Sequence, residues 1–264
     1  MSDDVLWIER DDRGVVSVTL NRPDIHNAFD DLLIARLTGA FRELGSDPAV
    51  RVILLMGSGK SFSAGADLGW MRRMADYSPA ENEADARALA AMLRAIRDCP
   101  KPTVAFVHGA AFGGGVGLVA ACDIAVATEK ALFCLSEVRL GLIPAAIGPH
   151  VVAAIGARAA RRYFLTAERF GAAEALRLGL VHKVVEEGAL SAARDELLKA
   201  LLAGGPIAQG AAKALIFALA DRPLDDALEA DTARRIATLR AGAEGREGVA
   251  AFLEKRPAAW TTPA

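Results

Sequence analysis

The apolar positions of this chain change their period several times, and each change predicts an element. Residues 5–9 and 15–20 are short β-branched runs on either side of Asp11-Asp12-Arg13-Gly14, the pattern of a hairpin. A polar loop broken by Pro23 follows. Leu32, Leu33, Ala35, Leu37, Ala40, Phe41 and Leu44 then recur at helical spacing and predict a helix over 29–44. Residues 52–56 read as a buried strand and 57–65 as a loop rich in glycine and serine. A helix opens in 66–74, and a charged one runs over 79–98, ending before Cys99-Pro100-Lys101-Pro102. The strand 103–107 leads to Gly113-Gly114-Gly115 and a short apolar helix, 116–122. Two strand-like runs, 124–127 and 131–135, flank Thr128-Glu129-Lys130 as a second hairpin or as two turns of a coil. Helices over 148–155, 157–164 and 172–178 precede a strand at 180–185. From residue 187 the pattern is helical, broken at Gly204-Gly205-Pro206, Pro223 and Gly242. Strand–strand–helix units thus recur at 5–44, 52–98 and 103–122 without a sequence period. The shift from mixed to nearly all-helical places a boundary near residue 204, giving units 1–204 and 205–264.

Composition narrows the function classes. Of 264 residues, 53% are hydrophobic and 24% charged, enough apolar surface for a large core and a buried subunit interface. The net charge of −2 supplies no basic field, which argues against nucleic acid as a partner. No apolar run reaches the roughly 20 residues of a membrane helix. The acidic start, Met1-Ser2-Asp3-Asp4, lacks the features of a signal or transit peptide. Cys99, Cys122 and Cys134 lie in apolar surroundings and read as reduced core thiols of a cytoplasmic protein.

The candidate chemistry gathers around His108 to Asp123 with Leu135-Ser136-Glu137. Glycines that open a helix let a ligand approach unpaired backbone N–H groups at the positive end of the helix dipole. Such a place suits an oxygen that becomes an anion. The loop 60–68 is a second glycine-containing strand-to-helix turn. If it meets Gly114 in space, the N–H groups of Ala66 and Gly114 could point at one oxygen. Glu137, at the end of an apolar strand, would then stand beside an oxyanion hole. Competing motifs fit less well. Gly59-Lys60-Ser61 ends like a phosphate-binding P-loop, but the required first glycine is Leu54. Gly115-Val116-Gly117-Leu118-Val119-Ala120 matches a relaxed dinucleotide pattern, yet its helix is short and two strands follow where one is expected. His26, His108, His150 and His182 show no metal-ligand spacing.

Several segments in order resemble the enoyl-CoA hydratase/isomerase (crotonase) family. They are Ser63-Ala64-Gly65-Ala66-Asp67-Leu68, Phe112 to Leu118, Cys122-Asp123-Ile124 and Ser136-Glu137 through Pro144, with Arg22-Pro23 and Asn27-Ala28 early and Phe252-Leu253-Glu254-Lys255 late. The resemblance implies an α/β, crotonase-like spiral of ββα repeats with a C-terminal helical trimerisation region, assembled as a homotrimer or a hexamer of two trimers. It implies an acyl-CoA thioester substrate held by the N–H groups of Ala66 and Gly114, no cofactor beyond the coenzyme A of the substrate, and no metal. Arg22, His26, Ala28, Ala64, Ala66, Asp67, Leu68, Gly113, Gly114, Gly117 and Lys255 match substrate-binding positions. Asp24 stands where many relatives have lysine after Arg-Pro, which leaves Arg22 and Lys255 as the candidate partners of a CoA phosphate, and the resemblance implies that Lys255 can reach a neighbouring subunit's site.

Hydratases of this family usually carry two glutamates. The second matches Glu137, while Gly117 stands at the first. Water would then be held by Glu137 alone or by a group from elsewhere, for which Ser136, His150 and acids of the 79–98 helix are the candidates. Isomerases that move a double bond from the 3 to the 2 position also rely on one glutamate at the place of Glu137. Residues 133–145 and 159–168 look like bacterial hydratases of branched, carboxylated enoyl-CoAs, the methylglutaconyl-CoA type, so hydration is the leading expectation. A silent acyl-CoA binder is a third, favoured if apolar side chains fill the space beside Gly117.

Overall fold

The computed structural model describes residues 5–220 and 222–261, so the acidic residues 1–4 lie outside the described residues. In chain order the first elements are β1 (Leu6–Arg10), β2 (Val15–Leu20), α1 (Asp31–Ser46), β3 (Val52–Gly57), α2 (Leu68–Ala75) and α3 (Pro79–Arg97). Next come β4 (Thr103–Val107), β5 (Ala110–Phe112), α4 (Gly114–Ala121), β6 (Ile124–Thr128), β7 (Leu132–Cys134) and α5 (Gly148–Thr166). The chain continues as β8 (Phe170–Gly171), α6 (Ala172–Leu178), β9 (Lys183–Val185), α7 (Leu190–Ala203), α8 (Pro206–Leu219), α9 (Asp226–Ala241) and α10 (Ala243–Leu253).

The first hairpin forms as expected, with Leu6 opposite Leu20. β2 then pairs in parallel with β3, and a six-stranded sheet builds in the order β1-β2-β3-β4-β6-β9. Its central strands are apolar almost throughout, with the buried Thr103 and Thr128 as exceptions, because both faces are covered. Alternate residues go opposite ways. Val52, Leu54, Val104 and Phe106 pack under Ala193 and Leu198 of α7. Ile53, Leu55, Ala105 and Val107 join the larger core with Leu37 and Phe41 of α1 and Leu93 and Ile96 of α3. Asp30 caps α1 through Leu33 N–H, and a reciprocal Ser78–Glu81 box opens α3.

A second, narrower layer runs beside this sheet. β5 pairs in parallel with β7, and β7 pairs antiparallel with β8. Single-residue bridges, Phe29 to Ala66 and Ser63 to Ala111, continue the layer upstream. The repeated ββα turn is therefore real, but in the first two turns its second strand is only a one-residue bridge, and Phe29 and Ala66, which the apolar pattern places at the start of helices, lie ahead of α1 and α2. The same layer decides the two readings of 124–135. β6 belongs to the large sheet and β7 to the small one, so the segment is two turns of a coil and the hairpin alternative is incorrect. The chain leaves one layer at Thr128 and must enter the other by Leu132, where Leu132 N–H bonds Gly109 O.

The two expected helices at 148–164 are the halves of α5, broken at Gly156, whose φ of +74° suits only glycine comfortably. The division at 204/205 falls on the turn between α7 and α8, which meet at 98°. Arg51 ties this turn down by donating to the carbonyls of Leu202, Gly204 and Trp260. No single helix among the described residues is long and apolar enough to cross a membrane.

Candidate active site

Two nested turns bring the expected backbone donors together. In the first, Phe29 N–H bonds Gly65 O and Asp67 N–H bonds Phe29 O. These bonds flank Ala66 on one side, so its own N–H points the other way, as the alternation of a parallel bridge requires. In the second, Gly113 adopts φ +50° and donates to Cys134 O at 2.8 Å, so that Gly114 begins α4 with its N–H directed out of the helix. The turns touch. A Cβ at Gly65 would lie 3.5 Å from Gly114 N. Neither the Ala66 nor the Gly114 N–H donates to another described group.

The side chains behind these turns are buried and fully bonded. Asn27, with no exposed surface, donates to Ser58 O and Ser61 O and accepts from Arg22 N–H. The hydroxyl of Ser63 donates to Asn27 O and accepts from Gly65 N–H. Glycine is required for contact at the next two positions. A Cβ on Gly114 would sit 2.2 Å from the Phe29 ring, and one on Gly115 2.5 Å from Ser63 O. The glycine run is thus consumed by packing and by one donor, which removes the dinucleotide reading.

Glu137 begins a short 3₁₀ turn after β7, closed by Gly141 and by Leu142 N–H on Glu137 O. Its carboxylate faces the glycine turn, with Oε1 3.4 Å from where a Gly113 Cβ would be. Oε2 is buried and has no hydrogen-bond partner among the described residues. Burial pushes the Glu137 carboxyl above its ordinary 4.5. An unpartnered buried acid facing the Gly113 turn is an arrangement that can support proton transfer.

The matching place for a second carboxylate is closed by hydrocarbon. A Cβ on Gly117 would meet Ile147 Cγ2 at 2.4 Å and Leu93 Cδ2 at 3.5 Å. Nothing in the sequence pointed to Ile147, which lies 30 residues downstream. A cavity of about 460 Å³ opens from the donors and Glu137 between α2, α3 and residues 140–147. Phe29, Ala64, Leu68, Trp70, Met71, Met74, Leu89 and Ile143 line it, with Asn82, Asp85, Ser136 and Glu137 as polar side chains. Trp70, Asn82, Asp85 and the two methionines were not singled out by sequence, although α3 was marked as a source of acids.

The remaining expected residues are placed as follows. Asp67 caps α2 through Trp70 N–H, Leu68 is exposed at the cavity edge, and Ala28 is buried beside the first turn. Arg22 pairs with Asp30 at 3.0 Å and donates to Ala28 O, so its guanidinium is engaged inside the protein. His26 is exposed and its Nδ1 lies 3.1 Å from Ser61 Oγ. Lys255 is exposed after α10 and does not line the cavity. His150 lines a different cavity, with Arg94, Arg97 and Lys213, and burial lowers its pKa. It does not join Glu137.

Comparison with known proteins bears on the family. The model of the enoyl-CoA hydratase/isomerase family matches residues 10–263. An enoyl-CoA hydratase from Shewanella pealeana has a crystal structure that superposes with TM-score 0.94 at 44% identity, covering 98% of this chain and 97% of that one. Enoyl-CoA hydratase ACTT6 of Alternaria alternata is 37% identical over 90% of this chain and 78% of its own. Hydroxycinnamoyl-CoA hydratase-lyase of Pseudomonas fluorescens is 34% identical over 76% and 74%.

Proposed function

The chain belongs to the enoyl-CoA hydratase/isomerase family, and from that premise we propose that it hydrates a 2-enoyl-CoA with Glu137 as its one carboxylate for proton transfer. The thioester oxygen lies between the N–H groups of Ala66 and Gly114, which strengthen their hold as negative charge develops on it. Glu137 takes a proton from water as the water oxygen bonds to the β-carbon. It returns that proton to the α-carbon as the enolate collapses, so H and OH are added across the double bond and the carboxylate is regenerated. Glu137 Oε2, buried and unpartnered beside the two donors, carries this reading. The apolar lining supports a branched or medium-length acyl chain. Methylglutaconyl-CoA remains the carboxylated test substrate.

Isomerisation of a 3-enoyl-CoA is the second reading; Ile147 and Leu93 filling the space beside Gly117 leave it unimpaired and are also the feature that favours the silent acyl-CoA binder. It needs one base to move a proton from the α- to the γ-carbon and no bound water. Exposed Ile207, Ile216, Phe252 and Leu253 on the C-terminal helices support the expected trimer or hexamer, which light scattering of the purified protein tests.

The deciding experiment assays crotonyl-CoA and 3-methylglutaconyl-CoA for hydration and 3-hexenoyl-CoA for isomerisation, each repeated with Glu137→Gln. Hydration that disappears in the variant supports the first reading. Isomerisation without hydration replaces it with the second. Acyl-CoA binding without turnover of either kind leaves a binding protein.

A further inference from the structure

The cavity holds a second ionisable side chain that the proton transfer does not use. Asp85 lines it from α3, and its Oδ1 accepts a hydrogen bond from the indole N–H of Trp70, on α2, at 3.1 Å. That bond joins the two helices whose side chains make up the acyl wall. Its position along α3 separates it from the reacting end. Leu93, which packs beside Gly117, is eight residues further on, about 12 Å of helix rise at 1.5 Å per residue. Asp85 therefore does not stand in for the carboxylate that Gly117 lacks. It lines the cavity away from Gly117, and also borders the cleft between α1 and α3 with Asp31 and Arg42.

The surroundings there keep the charge effective. Trp70 is 3% exposed and Met71, Met74, Ala86 and Leu89 are the apolar neighbours in the cavity. Partial burial is the largest influence on the Asp85 carboxyl and raises it, as does Asp31, while the Trp70 hydrogen bond and the Arg73 cation act the other way and favour the charged form. A second anion brought to this place would meet an ionised carboxylate in a medium poorer than water at screening charge.

Resting on the reading of this cavity as an acyl-CoA site, we infer that Asp85, held by Trp70, is a specificity-determining residue that selects acyl chains with an uncharged far end and rejects chains ending in a carboxylate. Trp70 fixes one oxygen of the carboxylate, so the charge stays in place instead of swinging to solvent.

The test compares a matched pair of saturated thioesters, octanoyl-CoA and octanedioyl-CoA, by calorimetry on wild-type protein, Asp85→Asn and Glu83→Gln. Asparagine keeps an oxygen for the Trp70 N–H and removes the charge. Glu83→Gln removes a charge from the exposed part of the same helix. Wild type is expected to bind octanoyl-CoA at least tenfold more tightly, Asp85→Asn to narrow that ratio at least tenfold, and Glu83→Gln to leave it within twofold. A ratio that Asp85→Asn does not move, or that both variants move equally, overturns the inference. Because the ligands do not react, failure of turnover in the enoyl-CoA assays would refute the proposed reaction and leave this result standing.

Discussion

The two walls of the cavity are held in opposite ways. The wall that carries the donors consists of backbone turns pinned by buried side chains. Asn27, Ser63 and Ala111 have no exposed surface, and each turn bonds to the one before and after it. The other wall is two helices with shallow anchorage. Trp70 is the only buried residue of α2, and the buried residues of α3, Met92, Leu93 and Ile96, all lie near its C-terminal end. In the proposed reaction, bond-making geometry is thus fixed by main chain that side-chain substitution barely reaches, while chain selection rests on side chains that can be exchanged. Rigid placement of the reacting groups and an adaptable pocket coexist because separate elements provide them.

Perturbing the rigid wall should have the larger effects. Glu137→Gln is expected to lower kcat by about 10³ or more while acyl-CoA binding stays within a few-fold, the range for loss of a positioned acid–base group. Equal losses in kcat and in binding would show instead that Glu137 only shapes the cavity. Gly114→Ala should lower kcat by about 10² through displacement of one donor, and should destabilise the fold by about 1–3 kcal/mol because its Cβ enters the Phe29 ring. An unchanged melting temperature together with full activity would rule out the close approach described here.

Gly117→Glu is expected to destabilise by about 3 kcal/mol, since the new side chain collides with Ile147 and buries a charge. Adding Ile147→Gly should recover part of the loss in urea titration. If the double variant is no more stable than the single one, Ile147 is not what closes the position.

The pH dependence follows from burial of Glu137. Its folded pKa lies above the ordinary 4.5, so the folded protein holds this proton at pH values where the unfolded chain has released it. The contribution of Glu137 to stability is therefore intact below pH 4.5 and is lost as pH rises through the folded pKa. Glu137→Gln should match wild type in acid and exceed it in thermal stability at neutral pH. The acid limb of wild-type kcat/KM should likewise lie above pH 4.5.

On the adaptable wall, breaking the exposed Glu83–Arg87 pair with Arg87→Ala should change stability by no more than about 0.5 kcal/mol. A larger change would mean that α3 is more firmly set than its burial indicates.

What could be read from sequence divides along the same line. The apolar periods located the sheet strands and most helices, because burial on both faces leaves a plain signal. The glycine turns and Glu137 were legible because few uses other than a close approach explain three glycines between a strand and a helix. The closure over Gly117 was not legible, since Ile147 looks like any loop-end aliphatic residue until the two turns meet. Arg22 reads as a free cation until Asp30, eight residues on, folds back against it as the cap of α1. The start of the second layer is faint in the sequence because the bridges at Phe29–Ala66 and Ser63–Ala111 are one residue long and leave no alternation to detect.

Those bridges also bear on how the protein is made. The donor at Ala66 is aimed by residue 29, the loop that bears it is fixed by residue 111, and the next donor hangs from the carbonyl of residue 134. No N-terminal segment shorter than about half of the chain contains the complete proposed oxyanion site, and each contact closes a loop of tens of residues. Contacts of that separation form late and slowly. During synthesis the site comes into being only after β7 has left the ribosome and stacked on β5, so a truncated or half-folded product holds neither donor in register for chemistry.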